Sequence, residues 1–105
     1  MTLMNESAIV INPIIYAEVS TGFRKIEELD GRLPLDLYRR DPLPYEAAFL
    51  AARAFVKYRR QGGSRTSPMP DFYIGAHAAV TGFRVLTRDP RRLRRYFPSV
   101  ELIAP

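Results

Sequence analysis

Cysteine and tryptophan are absent from these 105 residues, and histidine occurs once. Without cysteine there are no disulfide staples and no thiolate metal site, so an apolar core has to hold the fold. No apolar run approaches the roughly 18 residues that span a bilayer. The longest, Ala8–Ile11 and Ala47–Ala52, are of core size. The leading segment Met1–Ser7 has no basic stretch followed by an apolar one, so no secretory signal is expected and a cytoplasmic protein is the reading. Gly62-Gly63-Ser64 has neither the lysine nor the spacing of a phosphate-binding P-loop. What remains is a chain of ordinary globular balance, 47% hydrophobic and 26% charged, sized for one small domain over residues 1–105.

The net charge of +5 is unevenly spread. Residues 1–50 hold five Arg/Lys against eight Asp/Glu, whereas residues 51–105 hold eleven against three. A basic half of that kind either meets phosphate or is a solvated surface of mixed charge. Six arginines, at 84, 88, 91, 92, 94 and 95, surround a single acid, Asp89.

Along the chain, Ala8–Ile11 reads as a short buried parallel strand, rich in β-branched residues. Asn12-Pro13 then pairs a favoured N-cap with a residue tolerated at the first helical position. Ile14, Ile15, Val19, Phe23 and Ile26 extend that into a helix over about 13–28, bent at Gly22. Gly31–Pro44 reads as turns with an edge strand near Arg40–Leu43. Tyr45–Arg60 is the strongest helix signal, with alanines throughout, an acid at its start and basic residues at its end. Gln61-Gly62-Gly63 closes it. A small-residue helix follows over Asp71–Thr81, then a strand over Phe83–Thr87, a short helix opened by Pro90, and a last strand at Val100–Ile103. Strands alternating with helices predict an α/β domain, a small parallel sheet flanked by helices in three layers.

Three acids stand out by position. Glu18 lies in the first helix, Asp71 opens the small-residue helix, and Asp89 follows the strand ending Leu86-Thr87-Arg88. In an open parallel sheet, functional groups collect beyond the carboxyl ends of the strands, and all three reach that crevice. Converging carboxylates repel unless a cation lies between them, and hard oxygen donors suit Mg2+ or Mn2+. Each acid also has a bland explanation. Asp71 and Asp89 suit helix N-termini, and Glu18 a solvated face. His77, six positions after Asp71 and off its helix face, suits packing or surface better than metal ligation. Thr87 suits either the surroundings of a metal site or a strand.

The order of three segments resembles the PIN-domain nucleases, and among them the VapC-type toxins of bacterial toxin–antitoxin pairs. Val10-Ile11-Asn12-Pro13-Ile14-Ile15-Tyr16-Ala17-Glu18-Val19 is similar to the family's strand and helix with its second acid. Pro70-Asp71-Phe72-Tyr73-Ile74-Gly75-Ala76-His77-Ala78 is similar to the segment with the third, and Leu86-Thr87-Arg88-Asp89 to the strand end with the fourth. Phe97-Pro98 and the closing Leu102-Ile103-Ala104-Pro105 resemble the family's ending. The resemblance implies that Glu18, Asp71 and Asp89 are both the catalytic residues and the ligands of Mg2+ or Mn2+, with RNA as substrate, an antitoxin as partner and a homodimer as the assembly. The family opens, however, with a strand ending in an aspartate, usually Asp-x-Asn. The seven leading residues here are expected to contain no strand, and they contain no aspartate. A strand and helix of about 30 residues would therefore be lacking, the size of one βα step. On that expectation the core lacks its central strand, which makes a second copy or another partner necessary.

Three functions follow. The first is a metal-dependent ribonuclease toxin. The second is a catalytically inactive PIN remnant that binds antitoxin or nucleic acid. The third is a nucleic-acid-binding protein using the arginines of 84–95 without hydrolysis.

Overall fold

A computed structural model describes residues 2–5 and 8–103. Met1, Glu6 and Ser7 of the leading segment, and Ala104 and Pro105 of the segment similar to the family's ending, lie outside the described residues. In chain order the elements are β1 (Thr2–Met4), β2 (Ile9–Ile11), α1 (Pro13–Ser20), α2 (Ile26–Arg32), β3 (Tyr38–Arg40), α3 (Tyr45–Arg60), α4 (Pro70–Thr81), β4 (Arg84–Leu86), α5 (Arg91–Tyr96) and β5 (Leu102–Ile103).

The expectation that the leading residues hold no strand is overturned. Thr2–Met4 forms β1, and it occupies the middle of a five-stranded sheet of order β3-β2-β1-β4-β5. The slot that would otherwise leave β2 and β4 with open edges is thus filled, so the core has a centre. β1 runs antiparallel to both neighbours, while β2 pairs with β3, and β4 with β5, in parallel. The sheet is therefore mixed rather than wholly parallel. The reason is the short connection: antiparallel strands need only a tight turn, whereas a parallel partner requires a crossover of a dozen or more residues. Asn5 closes that turn, its side-chain oxygen accepting from the Ala8 N–H at 2.7 Å and its own N–H donating to the Ala8 carbonyl at 3.1 Å. Register places Leu3 opposite both Val10 and Val85, and all three are fully buried.

The helix expected over 13–28 is two helices. Ser20 Oγ donates to the Tyr16 carbonyl at 2.6 Å and Thr21 Oγ1 to the Glu18 carbonyl at 2.8 Å, satisfying the last turn of α1 from within. The chain then turns through Gly22 before α2 begins at Ile26. The proposed apolar stripe breaks with it: Ile15 is buried, while Val19 and Ile26 are exposed. The edge strand lies slightly earlier than expected, at Tyr38–Arg40.

α4 is the hub of the helical layers, contacting α1, α3, α5 and β4. Small residues permit this: Ala47, Ala51 and Ala54 of α3, and Gly75, Ala76 and Ala78 of α4, are buried. At Gly75 a β-carbon would lie 2.6 Å from the Phe97 ring and 2.7 Å from Leu93, so α5 and the residue after it sit directly on that glycine. Gly82 ends α4 in the left-handed conformation at φ 84°, as its position after Thr81 predicts. Phe72 is fully buried among the rings of Phe55, Tyr58, Tyr96 and Phe97, with centroids 5.4 to 6.4 Å away. This aromatic cluster fixes the N-terminal turn of α4, and with it the neighbouring Asp71. Among the described residues no helix is long and apolar enough to cross a membrane.

Candidate functional site

Because β1 alone opposes the other four strands, β2, β3, β4 and β5 end at one edge of the sheet. Two polar groupings lie along that edge. After β2, Asn12 caps α1: its Oδ1 accepts from the Ile15 N–H at 2.8 Å. Its amide nitrogen donates to His77 Nδ1 at 3.1 Å, which leaves the imidazole proton on Nε2. Both residues are buried, and the His77 ring meets Phe83 edge to face at 5.3 Å. Burial lowers the His77 pKa below its ordinary 6.5, with Asp41 pulling weakly the other way. The packing role expected for His77 is the one observed.

The second grouping holds the acids. Beyond β4, Asp71, Thr87 and Asp89 line one open cleft of about 440 Å³ together with arginines of α5. Asp71 also lines an adjoining cleft of about 380 Å³, and there its acidic companion is Glu18. The structure thus brings Asp71 together with Asp89 on one side and with Glu18 on the other. Thr87 is buried, and its hydroxyl accepts from the Asp89 N–H at 3.2 Å, which shapes the turn presenting Asp89. Thr87 lies just past β4, so the strand use weighed for it is not the one seen; its hydroxyl instead holds the turn that carries Asp89.

Each aspartate has an arginine from α5. Arg92 donates to Asp71 Oδ2 at 2.8 Å, and Arg91 donates to Asp89 Oδ1 at 3.2 Å. The pairs differ in shelter: the Asp71 side chain is 13% exposed, whereas that of Asp89 is 69% exposed. The hydrogen bonds from Arg91, side chain first and then backbone, hold the Asp89 carboxyl below its usual range. Among the described residues the other oxygen of Asp71, Oδ1, is buried and has no hydrogen-bond partner. A buried carboxylate oxygen without a donor is costly, and a cation is a partner that would satisfy it.

Of the six arginines expected to form one patch, Arg91, Arg92 and Arg95 line the acid cleft, and Arg92 reaches the cleft with Glu18 as well. Arg65, from the loop before α4 and outside that patch, joins it there. Arg95 also lies over the Tyr96 ring at 5.6 Å. Tyr58 and Tyr96 form the cleft's aromatic wall, which nothing in the sequence singled out. The Tyr58 hydroxyl accepts from the N–H groups of Ser64 and Arg65, at 3.2 and 3.3 Å, which lowers its pKa and ties the loop to α3. The Tyr96 hydroxyl donates to Gln61 Oε1 at 2.9 Å. Their only signal in the sequence is a basic neighbour, Lys57 and Arg59 beside Tyr58 and Arg95 before Tyr96.

The resemblance implies Mg2+ or Mn2+ here. Among the described residues no three of histidine, cysteine, aspartate or glutamate form a group able to hold a metal ion. The donor chemistry at Asp71 and Asp89 nevertheless fits a hard cation, since both are carboxylates and one carries the unpartnered Oδ1.

Comparison with known proteins bears on the fold and the family. No curated protein matches the sequence. The fold is similar to a chain in the crystal structure of VapBC2 from Rickettsia felis bound to a DNA fragment from their promoter, with a TM-score of 0.70. That likeness covers 93% of this chain and 75% of that chain at 19% identity, a likeness of fold. The PIN domain matches residues 2–97, every element but β5, and the chain belongs to the PIN-domain family.

Proposed function

We propose that the protein is a metal-dependent endoribonuclease, the VapC-type toxin of a toxin–antitoxin pair. The observation that carries this reading is Asp71 Oδ1, a buried carboxylate oxygen without a partner, in a cleft shared with Asp89 and rimmed by arginines. Asp71 and Asp89 hold Mg2+ or Mn2+, and Glu18 completes the acidic set from the adjoining cleft. When bound, the cation supplies charge stabilisation at the scissile phosphate and lowers the pKa of the attacking water. Arg91, Arg95 and Arg65 bind flanking phosphates by charge-assisted hydrogen bonds. Thr87 holds the Asp89 turn so that its carboxylate stays at the strand end. The Tyr58 and Tyr96 rings form a fixed wall against which the backbone of a flexible RNA is positioned.

Cleavage of a mixed RNA pool by the purified chain with Mn2+, beside Asp71→Asn, tests the reading. Metal-dependent cutting that the variant loses supports it; equal cutting by the variant overturns it.

A second reading, a binding module without hydrolysis, is favoured by the arginines seated on both aspartates. It expects salt-sensitive RNA binding that survives neutralisation of Glu18, Asp71 and Asp89. Both readings take an antitoxin and a second copy as protein partners. Exposed Tyr45 and Phe49, one turn apart on α3, support such contacts, as do Ile26, Leu35 and Leu37 around α2. A cytoplasmic location accompanies either reading.

A further inference from the structure

Arg92 belongs to both clefts that meet at Asp71. Its guanidinium donates to Asp71 Oδ2 at 2.8 Å, and its side chain is 44% exposed against 13% for the carboxylate. The carboxylate is therefore sheltered while the arginine head faces solvent and any ligand entering either cleft. The backbone under it is fixed: Leu93, the next residue, is buried, and with Phe97 it sits against Gly75 of α4, the helix that carries Asp71. Only the side chain of Arg92 is placed to move.

From this geometry we infer that Arg92 is a positioning residue that couples nucleic acid to metal, serving as counter-ion of Asp71 in the free protein and turning to a backbone phosphate when RNA arrives. The inference rests on reading Asp71 as a metal ligand. Asp71 with Arg92 on Oδ2 already has its charge matched, and a divalent cation at Oδ1 would lie close to a fixed positive charge. Metal binding is accordingly weak while Arg92 stays. A phosphate offers the guanidinium the same planar two-oxygen partner as a carboxylate. Transfer of Arg92 to that phosphate removes the repulsion and frees Oδ2 of Asp71 beside the unpartnered Oδ1. By linkage, RNA raises metal affinity and metal raises RNA affinity by one factor. The arrangement also keeps the two acids from competing for cations before substrate is present.

Arg91 on Asp89 is the weaker counterpart. Both its partners are mostly exposed, at 89% and 69%, and water already competes for them.

The test measures Mn2+ affinity by electron paramagnetic resonance on the full chain and its Arg92→Gln and Arg92→Lys variants. Each is titrated alone and with a short 2′-O-methyl oligoribonucleotide, after subtraction of the oligonucleotide's own Mn2+ uptake. Arg92→Gln is expected to bind Mn2+ about fivefold to a hundredfold more tightly than the unmodified chain. Arg92→Lys, which keeps the charge, is expected to stay near the unmodified chain. The oligonucleotide, whose phosphate itself reaches the cation, should tighten Mn2+ binding by the unmodified chain more than by Arg92→Gln. Equal Mn2+ affinity in all three overturns the coupling, as does tightening by the oligonucleotide that is as large in Arg92→Gln as in the unmodified chain. If none of the three binds Mn2+ with or without the oligonucleotide, while all unfold cooperatively, the reading of Asp71 as a ligand fails as well.

Discussion

The edge formed by the carboxyl ends of four strands carries two polar clusters that obey opposite rules. At the end of β2, Asn12 and His77 are buried and engaged with each other, Asn12 also with the Ile15 N–H; the pair closes the seam between α1 and α4. At the end of β4, Asp71 and Asp89 are charged and answered by movable arginines, and one buried oxygen is left without a donor. Satisfaction of polar groups is what stability selects, so an unsatisfied atom signals a position kept for something else. The first cluster joins two helices; the second, on the proposed function, is where the ligands bind.

Substitutions can break that contrast. The largest effect is expected from Asp71→Asn, which should lower RNA cleavage roughly 100-fold or more, on the scale of losing one charge-stabilising group. Its melting temperature should change little, because the amide still accepts from Arg92. Asn12→Ala should do the reverse. It removes a cap and strands His77 Nδ1 in the core, and chemical denaturation should show a loss of roughly 2–4 kcal/mol. If Asn12→Ala proved as stable as the parent, the division into a structural and a functional cluster would fail.

Between the helices, Gly75→Ala forces a methyl into the Phe97 and Leu93 side chains, and should cost about 1–3 kcal/mol with the acids left in place. Proton linkage gives a finer test. Burial lowers the His77 pKa in the folded state, so the unfolded chain takes up a proton first as pH falls below 6.5. Stability is therefore fully present above that value and declines as pH drops toward the lower native pKa. The slope is at most about 1.4 kcal/mol per pH unit for one group. Denaturant midpoints across that window, compared with His77→Gln, should show the slope in the parent and its loss in the variant. The smallest effect is expected at Asp89→Asn, whose exposed pair with Arg91 should leave the melting temperature unmoved while cleavage falls.

The elements along the acid cleft were legible because local rules act on them directly. Pro70 and Gly82 bracket α4, Asn12-Pro13 opens α1, and alanines with polarised ends write α3. The three acids were legible by order along the chain and by resemblance. The arginines holding two of them were not, since Asp71 and Arg92 are far apart in sequence and meet only because Gly75 lets α5 settle on α4. β1 was illegible for another reason. Three residues, Thr2-Leu3-Met4, are too few to show a period, and their strand character comes from Val10 and Val85 on either side. The break after Ser20 was half legible. Gly22 marked the place, yet the hydroxyls of Ser20 and Thr21 made a stop out of what read as a bend.

β1 has a consequence for how the chain assembles as it is made. Among the described residues it is the only hydrogen-bonded link between the pair β3–β2 and the pair β4–β5, and it precedes both pairs in the chain. Its partner Ile9–Ile11 follows it closely in the chain, but Val85 comes 82 residues after Leu3. A hairpin of two short strands is barely stable by itself, so β1 waits for a segment made much later. Until β4 arrives, the growing chain carries an open strand edge, and its safety from aggregation in that interval depends on the helices already formed.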